Sequence, residues 1–247
     1  MQIKKLNVNQ LKYIAAFFML LDSLYLAFPD VFPAYFHLMS RFAAPLFAFF
    51  LTEGFFHTRN RKKYFLRLWL AAGLMLFGNL LSVPLLKNYR IRNNIFLTLA
   101  LGFSMICVLE AGKKAEGKKK AVLYAAAFLI YAGGSVLGFE GGVYVLSVIG
   151  IFYLFYGNRR KQVLAFLIWN FLFILLTGFP LPWRYESGAA WFQALCRKEN
   201  LAFLFLPFLL LYNGEKGERS PFHRYFFYVF YPAHLWLIHG LAALLGR

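Results

Sequence analysis

The chain has 247 residues, of which 61% are hydrophobic and 15% are charged, and its mean hydropathy is +0.57. A soluble globular domain is about 45–50% apolar, and apolar runs of about 18 residues or more recur along this chain, so an ordinary soluble domain is excluded. The formal net charge of +17 does not indicate a nucleic-acid partner, because the basic residues lie in short stretches between apolar runs, where they set membrane topology.

Nine apolar segments follow one another along the chain. The sequence therefore predicts an all-α, polytopic membrane helix bundle of about nine transmembrane segments, built as a single domain over residues 1–247. The segments are Leu11–Phe28, Leu38–Phe56, Tyr64–Leu86, Asn94–Glu110, Ala121–Leu137, Val143–Tyr156, Val163–Phe179, Leu201–Tyr212 and Tyr225–Leu245. The sixth and eighth are short for a hydrocarbon core of about 30 Å, so eight spans is the alternative.

The distribution of Lys and Arg predicts the orientation. With a cytoplasmic N-terminus, the inner connections carry eighteen basic residues and the outer connections carry six. Cytoplasmic loops have an excess of basic residues, so this pattern predicts that the N-terminus is cytoplasmic. The alternation holds at every inner connection, which favours nine spans over eight.

Polar side chains inside the apolar segments are the candidate functional residues, because a charge in hydrocarbon is costly. Asp22 lies in the outer half of the first segment and Arg41 lies near the outer end of the second, at compatible depths. We predict that they form an ion pair, which either takes part in a reaction or only fixes helix packing. Asn94 and Thr98 share a face at the outer start of the fourth segment and add polar groups there.

Glu53 lies twelve residues after Arg41, about 18 Å further along a helix, so the two cannot pair within it. His57 shares the face of Glu53 one turn later, and a basic cluster follows, consisting of Arg59, Arg61, Lys62 and Lys63. Either Glu53 neutralises this cluster, or the cluster receives the phosphates of a polyanionic cytoplasmic co-substrate, for which bidentate arginine is suited.

His234 lies midway along the last segment, two residues after Pro232. It is either a hydrogen-bonded core residue or a general base or substrate ligand within the bilayer. His239 is five residues further, about 140° around a helix, so the two histidines make a poor metal pair. Cys107 and Cys196 have no metal-binding spacing, and no metal site or disulfide is predicted.

Four sequence blocks resemble the TraX family, in the family's order and over most of the chain. They are RFAAPLFAFFLTEGFFHTRNRKKYFLRL at 41–68, NNIFLTLALG at 93–102, LYNGEKGER at 211–219 and FYVFYPAHLWLI at 227–238. TraX proteins are inner-membrane proteins named for N-terminal acetylation of F-type pilin, with acetyl-CoA as the implied donor. The family is grouped with transmembrane acyltransferases that modify extracytoplasmic acceptors.

The resemblance implies a multi-pass protein of the bacterial inner membrane. It implies that Arg59, Arg61, Lys62 and Lys63 contact CoA phosphates, and that His234 is a motif residue. The chain departs from the family where the pattern usually reads Asp-His, because Asp22 is followed here by Ser23. A second departure is FEGGVYVL at 139–146, where an Asp-Tyr-Gly type sequence is expected and Glu140 keeps an acid without the spacing.

Ser23 cannot replace an imidazole as a base near neutral pH. Either His234 or His37 takes that role, or the acceptor is already nucleophilic, or the chemistry has been lost.

These observations predict a membrane-bound acetyl- or acyltransferase. Acetyl-CoA would dock from the cytoplasm against the basic cluster, and the acyl group would reach a cavity bounded by Asp22, Arg41, Glu53 and His234. Arg41 would stabilise the oxyanion. The acceptor would be an amine or hydroxyl of a membrane-associated or extracytoplasmic peptide or glycan. The protein itself would contact the lipid bilayer, and no nucleic-acid partner is predicted. The alternatives are a catalytically degenerate member acting as a non-enzymatic membrane assembly subunit, and a small transporter.

Overall fold

A computed structural model describes residues 5–85, 91, 93–137, 140–196, 199–218 and 220–246. Helices account for 80% of the structure. Within the described ranges there is no β-strand, and one isolated bridge pairs Leu6 with Tyr212. The predicted all-α class is confirmed.

Eleven α-helices occur in the part of the chain that the structure describes. They are α1 (Val8–Ala27), α2 (Tyr35–Met39), α3 (Ala43–His57), α4 (Arg61–Leu85), α5 (Ile95–Lys113), α6 (Gly117–Val136), α7 (Gly142–Leu154), α8 (Arg159–Thr177), α9 (Gly188–Cys196), α10 (Phe205–Leu211) and α11 (Pro221–Leu244). Short 3-10 turns, Pro182–Arg184 and Glu199–Leu204, precede α9 and α10.

Five stretches contain a helix long and apolar enough to cross a membrane: Val8–Ala27, Arg61–Pro84, Ile95–Lys113, Arg159–Arg184 and Pro221–Leu244. Two further apolar helical stretches, Gly142–Leu154 and Leu201–Leu211, are shorter. The multi-pass character follows from these helices, while nine spans and a cytoplasmic N-terminus stay predictions. Of the basic residues counted for orientation, Lys4, Lys87, Arg90, Arg92, Arg197, Lys198 and Arg219 lie outside the described residues.

The second predicted segment, Leu38–Phe56, is wrong as a continuous helix. The chain turns between α2 and α3, so Arg41 lies in a turn and not on a helix. Pro45 accounts for the new start, because it is the third residue of α3, where a backbone N–H has no intrahelical acceptor to lose. The backbone N–H of Ala43 instead donates to the carbonyl of Ser40 at 2.9 Å.

The chain divides into two compact units. The terminal unit consists of Met1–Phe47 and Val163–Arg247, and the central unit is Ala48–Gln162. The boundaries fall inside α3 and α8. The prediction of a single domain over residues 1–247 stays a prediction.

In the terminal unit, α1 packs against α11 through a small core of Ala27, Ile238 and Ala242. The stretch 211–218 holds the start of α1: Leu6 N–H donates to Leu211 O at 3.1 Å, and Asn213 N–H donates to Leu6 O at 3.0 Å. This stretch is most of the LYNGEKGER block, so the structure gives that block a role in anchoring α1 beside the start of α11.

Two glycines shape this stretch. Gly214 and Gly217 have φ angles of 88° and 78°, which L side chains rarely adopt. A Cβ atom on Gly217 would lie 2.8 Å from the side chain of Asn7, whereas one on Gly214 would meet nothing within 4 Å. Asn7 forms a capping box with Gln10 at the start of α1, so close packing at Gly217 protects that cap.

In the central unit, short connections join α4, α5, α6 and α7, which makes consecutive helices antiparallel neighbours. Helices α5 and α7 approach closely at Gly102, where a Cβ would lie 2.3 Å from the Ile149 side chain. Helix α4 exposes a row of large apolar side chains, Leu66, Leu70, Leu74, Phe77 and Leu81. An exposed apolar face of this kind suits contact with lipid acyl chains.

Three basic stretches of the central unit meet at one end, which we call the basic end. Phe56, near the end of α3, stacks on Tyr156 after α7, with ring centroids 3.6 Å apart. Tyr153, in the last turn of α7, donates a hydrogen bond to Glu110 near the end of α5 at 2.7 Å. The ends of α3, α5 and α7 therefore lie together, and the basic residues that follow each of them share this end.

Candidate functional site

Asp22, His37 and Arg41 form one polar cluster in the terminal unit. Nδ1 of His37 contacts Oδ1 of Asp22, and Nη2 of Arg41 lies 3.6 Å from Oδ2 of the same carboxylate. The side chains of His37, Asp22 and Arg41 are only 11%, 19% and 15% exposed. The predicted pairing of Asp22 with Arg41 is therefore present, and it includes a histidine as third member.

The tautomer of His37 decides which neighbour its Nδ1 atom bonds. A carboxylate can only accept, so Nδ1 donates to Asp22 in the tautomer that has its lone pair on Nε2, whereas a guanidinium can only donate, so a bond from Arg41 uses the tautomer with the lone pair on Nδ1. Nη2 of Arg41 also lies 3.2 Å from Nδ1 of His37, and its charge balances the carboxylate. An imidazole held by a carboxylate through Nδ1, with Nε2 available, has the arrangement of a general base.

The turn after α2 positions this cluster. The carbonyl of His37 accepts hydrogen bonds from the Ser40 hydroxyl at 2.9 Å and from Nε of Arg41 at 3.2 Å. The last carbonyls of a helix have no intrahelical donors, and these side chains supply them. The same bond turns the Arg41 side chain back toward His37 and Asp22.

Ser23 makes a local contact. Its hydroxyl donates to the carbonyl of Met19 at 3.0 Å, and the residue is buried. In this cluster the imidazole beside the Asp22 carboxylate comes from position 37, on another helix. The sequence predicts His37 and His234 as the two possible bases, and no spacing along the chain distinguishes between them.

His234 lies in α11 with its ring buried against Phe230, at 4.6 Å between centroids. Its Nδ1 lies 2.8 Å from the carbonyl of Phe230. A carbonyl only accepts, so Nδ1 carries the proton and Nε2 is the basic nitrogen. His234 and Asp22 lie on α11 and α1, two helices that pack against each other.

Glu53 has its partners in the central unit. Its carboxylate lies 3.7 Å from Nδ1 of His57 and 3.9 Å from Nη2 of Arg159. His57 also donates from Nδ1 to the backbone carbonyl of Glu53 at 2.9 Å. These contacts fit the interpretation that Glu53 neutralises cations at the basic end. Arg159, the first residue of α8, is its second partner.

The predicted donor-binding residues lie at the basic end, in two environments. Arg61 is half-buried: its Nε donates to the carbonyl of Phe55 at 3.2 Å, and its guanidinium lies 4.0 Å from the centroid of the Phe55 ring. Arg59, Lys62 and Lys63 are exposed. Basic side chains in the first turn of a helix oppose the helix dipole, so α4 begins with cations that its own backbone does not favour.

The side chains of Asn94 and Thr98 are used in hydrogen bonds to backbone carbonyls. The Thr98 hydroxyl donates to the carbonyl of Glu140 at 2.6 Å, and the Asn94 side chain donates to the carbonyl of Ala72 at 3.0 Å. The Asn93 amide donates to the Glu140 carboxylate at 3.3 Å. These bonds tie α5 to its neighbours. Phe139, the first residue of FEGGVYVL, lies outside the described residues.

Comparisons with known proteins agree with the four sequence blocks. The family model described as TraX protein matches residues 7–242. The chain is 29% identical over 216 residues to a protein of Dichelobacter nodosus named probable fimbrial assembly protein FimC, serogroup H1, with 81% of this chain and 80% of that protein covered. No solved structure matches the chain. The family match covers nearly the whole length, and the chain therefore belongs to the TraX family.

Proposed function

We propose that this protein is a membrane-bound acyltransferase that moves an acetyl or acyl group from acetyl-CoA to an amine or hydroxyl at the membrane. The observation that carries the proposal is the cluster of Asp22, His37 and Arg41. A carboxylate, an imidazole and a guanidinium within hydrogen-bonding reach, largely shielded from water, provide a base, its orienting group and a cationic donor.

The reaction assigns one role to each member. Nε2 of His37 accepts the proton of the acceptor amine or hydroxyl as that group attacks the acyl carbonyl. Asp22 holds the imidazole in the tautomer with Nδ1 protonated and stabilises the imidazolium that forms. Arg41 stabilises the negative charge that develops on the carbonyl oxygen. The C–S bond of the thioester then breaks, and the imidazolium returns its proton to the leaving thiolate.

His234 and Glu53 have supporting roles in this proposal. Nε2 of His234 binds the acceptor, because the Nδ1 bond to Phe230 fixes the ring and leaves Nε2 as an acceptor nitrogen. Glu53 orients Arg159 and His57 at the basic end, and so acts on the donor through other residues.

We assign the basic end to the phosphates of the acyl donor. Arg59, Lys62 and Lys63 are exposed. Arg61, next to them in the sequence, donates a hydrogen bond to the carbonyl of Phe55. An anion bound at the start of α4 would be stabilised by the cationic side chains there and by the positive end of the helix dipole. Acetyl-CoA carries several phosphate groups and the activated acyl group, so it fits this surface and the proposed chemistry. The protein then acts in the inner membrane, with its donor on the cytoplasmic side.

One relative bears on the choice of acceptor. The similarity to a protein named for fimbrial assembly supports a role in pilus formation. We propose that the acceptor is a peptide or glycan of the pilus pathway that reaches the membrane.

A non-enzymatic assembly subunit is the second candidate, and one observation favours it. The hydroxyl of Ser23 is bonded to its own helix, so the position after Asp22 offers no base. If His37 does not replace that base, the fold remains and the chemistry is lost.

The experiment is acyl transfer by the purified protein in lipid nanodiscs. Radiolabelled acetyl-CoA is supplied with membrane extracts as the acceptor source, and labelled product is counted. Label transfer that disappears in His37→Gln supports the transferase. No transfer, together with no binding of acetyl-CoA at millimolar concentration, excludes it and leaves the assembly subunit.

A further inference from the structure

Arg67 is the residue that the proposed function leaves unused. It lies in α4, six residues after the first residue of that helix, which is about 9 Å along the helix axis. Its Nε atom is buried and has no hydrogen-bond partner among the described residues. Its guanidinium carbon lies 5.6 Å from the centroid of the Tyr64 ring, a weak cation–π contact.

Three other arginines have a polar partner for the guanidinium. Arg61, the first residue of the same helix, donates to the carbonyl of Phe55. Arg41 faces Asp22 and Arg159 faces Glu53. Within the described ranges, no ion pair or hydrogen bond involves Arg67. A half-buried guanidinium in an apolar helix is costly unless an anion accompanies it.

One face of α4 connects the basic end to Arg67. Lys63 lies four residues before Arg67, so the two share a face of the helix one turn apart. Lys63 is exposed and Arg67 is half-buried, so the face runs from water toward the interior of the central unit.

We propose that Arg67 binds a phosphate group of a molecule that enters the central unit from its basic end. A phosphate accepts two parallel N–H bonds from one guanidinium, which is the geometry for which arginine is suited. The phosphate comes either from the acyl donor or from the headgroup of an anionic phospholipid. The donor alternative rests on the proposed function, and the lipid alternative does not.

The test compares wild-type protein with Arg67→Met, Arg67→Lys and Arg184→Met, each purified in detergent. Arg184→Met is the matched control, because it removes the same guanidinium from an exposed residue of the terminal unit. CoA affinity is measured by calorimetry, and retained phosphatidylglycerol by native mass spectrometry. Size-exclusion chromatography checks that each variant is folded.

We expect Arg67→Met to lower CoA affinity by about tenfold or more, or to lose the retained phosphatidylglycerol, while Arg184→Met matches wild type. If wild-type protein does not bind CoA but Arg67→Met loses the lipid, the donor assignment fails and the phosphate site stands. If Arg67→Met equals wild type in both measurements, the site does not exist. Should Arg67→Met not fold, Arg67→Lys decides, and unchanged binding in that variant overturns the proposal.

Discussion

Nδ1 of His37 and the carboxylate of Asp22 are in contact although fifteen positions separate the two residues in the sequence. The contact joins α1 to the short helix α2, and Arg41 in the following turn completes it. The imidazole beside the acid therefore does not depend on the position adjacent to Asp22, which is Ser23. This relationship makes the proposed chemistry testable with single substitutions.

Replacing His37 is expected to abolish most acyl transfer. A positioned general base contributes about 10²–10⁴-fold to a rate, so His37→Gln should lower kcat/KM by at least about 100-fold. Asp22→Asn should also lower it, because a neutral amide does not stabilise the imidazolium. The measurement is initial rate with labelled acetyl-CoA in nanodiscs. Ser23→Ala is the matched control and should keep wild-type rates; a large loss in that variant would contradict the assignment of His37.

Removing Arg41 is expected to destabilise the terminal unit. Arg41→Ala leaves the largely buried Asp22 carboxylate without its cation and the His37 carbonyl without one donor, which should cost roughly 1–3 kcal/mol of the free energy of unfolding. The measurement is thermal unfolding in detergent. The double variant Asp22→Asn/Arg41→Ala should be less destabilised than the sum of the single variants, because both remove one interaction. Additive losses would show that the pair does not interact.

Neutralising the exposed basic cluster is expected to weaken donor binding without affecting the acid–base cluster. Arg59→Ala and Lys63→Ala should each raise KM for acetyl-CoA about fivefold to tenfold, with kcat little changed, since each removes one charge-assisted contact. The effect should shrink at high salt, because exposed charges are screened. Steady-state kinetics at two ionic strengths check this. A fall in kcat at constant KM would show that these residues act in the chemical step and not in donor binding.

Two glycine substitutions separate backbone strain from close packing in the stretch 211–218. Gly214→Ala should cost about 1–2 kcal/mol, because alanine is strained at positive φ. Gly217→Ala should cost more, since its Cβ would also collide with the side chain of Asn7 and disturb the cap of α1. Thermal unfolding measures both. Equal losses would mean that the Asn7 contact is unimportant.

The orientation of the central unit can be tested by cysteine labelling. In a variant without Cys107 and Cys196, single cysteines are placed at Lys118 and Arg160, exposed residues that follow α5 and α7. Because these stretches share the basic end, both cysteines should react with a membrane-impermeant reagent only when the cytoplasmic side is open. Labelling of the two from opposite sides would contradict both the predicted orientation and the shared end.

The sequence predicts much of this fold for a physical reason. Apolar runs and basic connections are recognised from the average hydropathy and charge of many residues, so an error of a few residues does not hide them. The helices α1, α4, α5, α8 and α11 therefore begin and end close to their predicted limits. The pairing of Asp22 with Arg41 can also be predicted, because two opposite charges at similar membrane depth have few other partners.

Other features depend on details that periodicity does not contain. The break between α2 and α3 lies within the apolar run Leu38–Phe56, and only Pro45 indicates it. The place of His37 depends on that turn. The pairing of Glu53 with Arg159 requires the end of α3 to lie next to the start of α8. The spacing of residues along the chain does not show this.

The division of the chain has a consequence for its synthesis. The central unit is one continuous stretch, so it can fold as soon as residue 162 has left the ribosome. The terminal unit needs both ends of the chain, since α1 packs on α11 and the start of α1 is held by residues 211–218. Asp22, His37 and Arg41 are therefore made first, yet α11, the helix that packs on α1, is made last. If the ribosome stalls before α11, the charged cluster stays in the membrane without that helix. Quality-control proteases would then degrade the incomplete chain.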